Sequence, residues 1–174
     1  DPVELGWTKL TLLGPEGDYS WEGLNRNLSA IFGDDYELNL QCDQAVLKVS
    51  TDSVSAQTWI NEKHPELRIN GAGEAIEIFK AKGTPAGFVE NFNLGSFHGS
   101  HALGHTRMAT ESAVTTEHSH PFSTGADLCL VHNGSLSNHN QLREELRREG
   151  ITFQTDNDSE VAAGYLAWRM REGD

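Results

Sequence analysis

A chain of 174 residues is long enough for one domain with a sizeable core. Its 37% hydrophobic and 22% charged residues are the balance of a soluble globular protein, not a disordered one. The formal net charge of -13 repels phosphate backbones and anionic membranes, which sets nucleic acid and membrane surfaces aside as partners. No apolar run approaches the roughly 18 residues that span a bilayer, and there is no secretory signal pattern. Cys42 and Cys129 are too few for a disulfide framework, so the expected location is a reducing cytoplasm.

In chain order, Trp7 to Leu13 alternates loosely and predicts a short strand. The turn residues Gly14-Pro15-Glu16-Gly17-Asp18 follow, and then a helix capped by a Ser or Asp. Its apolar stripe is Leu24, Leu28, Ile31 and Phe32, and Gly33 ends it. Tyr36–Leu40 and Ala45–Val49 read as strands. Thr51 or Asp52 caps a helix bearing Val54, Trp59 and Ile60, which stops before Pro65. Leu67–Ile69 and Ala75–Lys80 look like further strands, so residues 36–80 read as an inserted α+β module with a scaffold or interface role. Pro85 opens a helix over 84–92 from the first helical position, which proline tolerates.

From Ser96 the texture changes. Ser100–Thr106 and Leu128–His132 are short apolar runs ending on polar residues, the pattern of buried strands that deliver side chains to a site. Asn138–Arg148 predicts an amphipathic helix built on Leu142 and Leu146, with Gly150 just past its end. A last helix begins at Asp158 or Ser159, with Val161, Ala162, Tyr165, Leu166 and Trp168 on its apolar face.

Three polar clusters adjoin these segments. Arg107 lies in the run Gly104-His105-Thr106-Arg107-Met108-Ala109-Thr110, and its planar fork matches a carboxylate with two parallel hydrogen bonds. That partner is either a ligand or a structural ion pair to Glu111 or Asp158. Asn133-Gly134 follows Leu128-Cys129-Leu130-Val131-His132. Held at a strand end, the amide and the glycine N–H could both donate to a developing oxyanion; an ordinary Asn-Gly turn is the plainer reading. Asp158, at the head of the last helix, either caps it or faces a ligand ammonium. Seven histidines (His98, His101, His105, His118, His120, His132 and His139) crowd the same region. They lack the usual metal-ligand spacings, and no metal is expected. Structural histidines fit better, with His105 and His132 bonded to strand backbone.

The order Gly-His-Thr-Arg-x-Ala-Thr, His-Asn-Gly, then Asp-Ser-Glu-Val resembles the class II glutamine amidotransferases over roughly residues 75–171, with the motif-bearing part at 96–171. Met108, Glu111, Ser112 and Ser119-His120-Pro121-Phe122 resemble one branch, the glutamine-amidotransferase-like subunit of N-methylglutamate synthase and its glutamate-synthase-related neighbours. The resemblance implies an α+β fold, a four-layer α/β/β/α sandwich of the N-terminal-nucleophile hydrolase type, forming a single domain over 1–174. It implies that Arg107 and Thr110 bind the glutamine α-carboxylate, Asp158 its α-ammonium, and that Asn133 and Gly134 form the oxyanion hole.

Glutamine and glutamate are then the ligands. No cofactor is expected in this domain, since flavin or iron–sulfur chemistry would belong to partner subunits of a synthase. The family's nucleophile is a Cys at the N-terminus, whereas residue 1 here is Asp. The expectation is a fragment without the nucleophile segment, inactive by itself. A second reading is a non-catalytic glutamine- or glutamate-binding module that serves assembly.

Overall fold

The computed structural model describes residues 2–17, 19–106 and 115–174. Among these the chain is mixed α/β with two antiparallel sheets. The first is built from β1 (Thr8–Leu13), β2 (Tyr36–Gln41), β3 (Gln44–Val49) and β4 (Arg68–Gly73), in the order β2-β3-β1-β4. The second is the hairpin of β5 (Phe122–Gly125) and β6 (Leu128–Leu130). β1, from outside residues 36–80, lies between β3 and β4.

Every residue of β1 is buried, so both faces of the first sheet are covered. On one face Leu10 and Leu12 stand opposite Leu47 and Ala45 of β3. This face packs on Leu24 and Leu28 of α1 (Trp21–Phe32) and on Ala56 and Ile60 of α2 (Ser53–Lys63). The helical spacing of those four residues gives each helix one apolar stripe. Ser20 caps α1 by accepting from the Gly23 N–H, and Asp52 caps α2 by accepting from Val54 and Ser55. A bulge in β4 skips Asn70, so Ile69 faces Leu12 while Ala72 faces Leu10, and both join the same core.

The opposite face is polar and holds a crossing segment. Alternation at residues 75–80 predicts a strand, and Ile78 and Lys80 are indeed buried in alternation, yet no strand forms there. Side chains hold its backbone instead. Thr11 Oγ1 accepts from the Ile78 N–H at 3.2 Å. Gln44 brackets Lys80, accepting from its N–H at 3.2 Å and donating to its carbonyl at 2.7 Å. Gly71 leaves room for this crossing, since a Cβ there would lie 2.9 Å from Ile78 Cδ1. Lys9, almost fully buried, pairs with Glu77 at 2.7 Å. Lys48, directly opposite Lys9, pairs with Glu37 at 2.8 Å, so each amine of this like-charged pair has its own carboxylate.

The two sheets meet at Asp127, in the β5–β6 turn. Its N–H donates to the Ala72 carbonyl at 2.9 Å, and its carboxylate accepts from the N–H groups of Glu74, Ala75 and Ile76. Beyond lie α3 (Pro85–Asn91), a short 3-10 turn at Leu94–Ser96, α4 (His139–Arg148) and α5 (Asp158–Glu172). α5 lies against both strands of the hairpin, and α4 packs on α5.

Two expectations need correction here. Residues 100–106 form no strand and are mostly exposed. In α5 the buried positions are Ser159, Glu160, Val161, Ala163 and Gly164, while Tyr165 and Leu166 are each 40% exposed. Gly164 turns the face, because a Cβ there would come within 2.9 Å of the Phe153 ring. No helix among the described residues is long and apolar enough to cross a membrane.

Candidate functional site

The site is built around the first turn of α5. The helix begins at Asp158 as expected, but Asn157, not Asp158, is the N-cap, and its side chain accepts from the Ser159 N–H at 2.8 Å. The next three side chains are therefore free of capping, and they reach out to the segments at 120, 132–136 and 154–155. Acidic groups at 158 and 160 also suit the positive end of the helix dipole.

Asp158 Oδ2 accepts from the Leu136 N–H at 2.7 Å, just past the Asn133-Gly134 corner. Ser159, 2% exposed, sets its hydroxyl 2.9 Å from His120 Nε2 and 3.1 Å from His132 Nδ1. Glu160, 3% exposed, accepts from the N–H groups of Gln154 and Thr155 and from the Thr155 hydroxyl, at 2.7, 2.8 and 2.7 Å. Arg143 of α4 fastens the same loop from outside, donating to the carbonyls of Thr155 and Asn157. This buried arginine was missed in the sequence because it sits between the apolar Leu142 and Leu146 and reads as part of the polar face.

Asn133 and Gly134 follow β6 and are exposed. Gly134 lacks the positive φ of a hairpin Asn-Gly turn. Its need for glycine is steric, since a Cβ there would lie 2.7 Å from His132 Nε2. His105 and His132 do not bond strand backbone. His105 stacks on His120 with centroids 4.5 Å apart, and its buried Nδ1 has no hydrogen-bond partner among the described residues. The structure thus brings Asp158, Asn133 and Gly134 together through Leu136 and His132. Arg107 and Thr110, with Met108, Glu111 and Ser112, lie outside the described residues.

Neither cysteine is placed as an activated nucleophile. Cys129 is half-buried on β6, and burial pushes its thiol above the usual range, away from the thiolate. Cys42 is exposed in a left-handed turn residue, with its Sγ 3.4 Å from the Asn91 carbonyl oxygen. Among the described residues no three His, Cys, Asp or Glu side chains gather as for a metal ion.

Next to this site lies a small polar cleft lined by Arg68, Asn70, Lys80, Phe122, Thr155 and Glu160. Lys80 Nζ sits 4.8 Å from the Phe122 ring centre. Burial, opposed by the Glu160 charge and reinforced by Arg68, pulls its amine down to about 8.

One helix terminus thus carries a carboxylate beside an Asn-Gly corner and two histidines, His120 and His132. Residues 94–169 match the family model of the glutamine amidotransferase domain. The chain is 46% identical over 169 residues to the glutamine amidotransferase-like protein GlxB of Rhizobium meliloti, covering 97% of this chain and 56% of that protein. It is 33% identical over 99 residues to a glutamine–fructose-6-phosphate aminotransferase (isomerizing) of Sulfolobus acidocaldarius, covering 56% of this chain and 17% of that protein. The enzyme of the same name from Escherichia coli is 38% identical over 76 residues, 44% of this chain and 12% of the enzyme. The chain therefore spans little more than half the length of the first of these relatives and far less of the others. No solved structure matches it.

Proposed function

We propose that this domain releases ammonia from the side-chain amide of glutamine, as a class II glutamine amidotransferase with the four-layer N-terminal-nucleophile fold. The observation that carries this reading is the double tether on the Asn133–Gly134 corner. Asp158 holds Leu136 while Ser159 holds His132, so a carboxylate and two amide donors sit on one rigid helix end. In this reading Asp158 takes the α-ammonium, Arg107 and Thr110 take the α-carboxylate, and Asn133 and Gly134 stabilise the oxyanion at the side-chain amide. A thiolate adds to the amide carbon, the C–N bond breaks as ammonia leaves with a proton, and water cleaves the thioester to glutamate. In this reading the thiolate is the N-terminal Cys of the family pattern, a role for which neither Cys42 nor Cys129 is placed. The released nitrogen passes to partner subunits of a synthase resembling N-methylglutamate synthase.

The decisive measurement is calorimetry with glutamine and glutamate. Arg107→Ala abolishes binding of both if the carboxylate assignment holds; unchanged affinity removes it. In the intact polypeptide, Asn133→Ala spares binding but slows ammonia release about a hundredfold or more. A second reading, a glutamine- or glutamate-binding module without catalysis, is favoured by neither Cys42 nor Cys129 being placed as a nucleophile. It is the outcome if the intact polypeptide binds glutamine and releases no ammonia.

A further inference from the structure

We propose that His132 and Ser159 are positioning residues that aim the Gly134 N–H; the proposal rests on the glutaminase reading above. The Ser159 hydroxyl has one proton and two acceptor pairs. It faces three groups: His120 Nε2 at 2.9 Å, His132 Nδ1 at 3.1 Å and Asp158 Oδ1 at 3.5 Å. One proton cannot serve both imidazoles, so at least one ring donates its N–H to this oxygen. Ser159 is itself immobile, with its N–H on Asn157 Oδ1 at 2.8 Å and its side chain buried.

The opposite edge of the His132 ring touches the corner. The place of a Cβ on Gly134 is 2.7 Å from Nε2 and 3.3 Å from Cε1, so the ring lies directly against the glycine. Filling the space beside the Gly134 Cα, the ring limits where the peptide that carries the proposed oxyanion donor can lie. Two residues further on, Asp158 fixes the Leu136 N–H. Residues 132–136 are anchored at both ends to consecutive side chains of one helical turn, and Asn133–Gly134 spans the interval. A polar side chain merely filling the core would need neither the second imidazole nor the glycine contact.

Ser159→Ala removes the shared oxygen. His132→Asn keeps an amide near the place of Nδ1, and so the bond to Ser159, while it removes the ring edge from Gly134. In the intact polypeptide both variants should lower kcat for glutamine about ten- to a hundredfold, with KM within about twofold. Ser159→Thr, which keeps the hydroxyl, should recover most of the loss. A rise in KM at unchanged kcat overturns the proposal, as does Ser159→Thr behaving like Ser159→Ala despite an unaltered fold.

The second readout needs no activity. In heteronuclear NMR spectra Ser159→Ala should move the Gly134 amide resonance while that of Gly23, in α1, stays in place. A Gly134 resonance that does not move overturns the proposal, even if the variants are slow. A moved resonance in a wild-type protein that releases no ammonia leaves the positioning intact and rejects the glutaminase reading alone.

Discussion

The Asp158 carboxylate accepts the Leu136 amide hydrogen across 2.7 Å, through Oδ2. One oxygen is thus committed to the backbone, and in the proposed reading the charge meets the ligand ammonium. Asp158→Asn keeps an acceptor for Leu136 and removes the charge, so the thermal midpoint should change little. Affinity for glutamate should fall about tenfold or more, the loss of a charged hydrogen bond worth about 1.5–3 kcal/mol. Calorimetry beside a melting curve separates the two effects, and undiminished affinity in a folded variant would remove Asp158 from the ammonium site.

Glu160 is the anchor of the 154–157 loop. Its two oxygens accept three hydrogen bonds, two from N–H groups and one from a hydroxyl. A glutamine there turns one of the oxygens into a donor that meets donors. Glu160→Gln should cost about 2–3 kcal/mol in urea unfolding, with the same denaturant slope. A loss below half a kcal/mol would mean that the loop is held by Arg143 alone.

Gly134→Ala tests the contact with His132. The new methyl group would sit 2.7 Å from Nε2, too close for any real Cβ, so the ring or the corner must move. Either movement loosens the bond to Ser159, and the expected destabilisation is about 1–3 kcal/mol. The control is Gly104→Ala, where no atom of the described residues lies within 4 Å of the added carbon. Equal stability of the two variants would contradict the packing.

Lys80 makes a pH signature. Its amine is lowered from 10.5 to about 8 because burial disfavours the charged form. Between those values the unfolded chain keeps a proton there that the folded chain has released. The contribution of this site to stability therefore rises as pH increases through that window. Lys80→Met fills the same space without a titrating group, so it should be the more stable form near neutrality, and its advantage should shrink towards pH 10.5. A constant difference across the window would show that the amine titrates alike in both states.

Much of the fold was legible as sequence because its signals are local. Leu24 and Leu28 mark one helical stripe, Ala45 to Val49 one strand, Pro85 one helix start, and all lie where the periodicity put them. The segment 75–80 shows where such reading ends. Its alternation is real, but its backbone partners are the side chains of Thr11 and Gln44, more than thirty residues away, and no local pattern announces them. The site divides in the same way. Asp158, Asn133 and Gly134 were singled out as candidates from their residue types, their order and the family resemblance. Ser159, Arg143 and Glu160 matter through burial and partners on other elements, which sequence spacing does not encode. The helix start at Asp158 was read correctly, but its cap is Asn157, one residue earlier and an equally good capping residue.

The Asp127 carboxylate has a consequence for how the molecule opens. Residues 74–76 belong to no helix or strand, yet three successive N–H groups there end on one exposed side chain. Although burial opposes its ionisation, these donors and Lys9 hold Asp127 below the usual carboxylate range. In deuterium exchange this stretch should be protected like sheet, and the three amides should be released together when Asp127 takes up a proton. A covalently ordinary turn in the second sheet thereby serves as a latch on the first, one that strong acid would loosen at the carboxylate while the Asp127 N–H keeps its bond to Ala72.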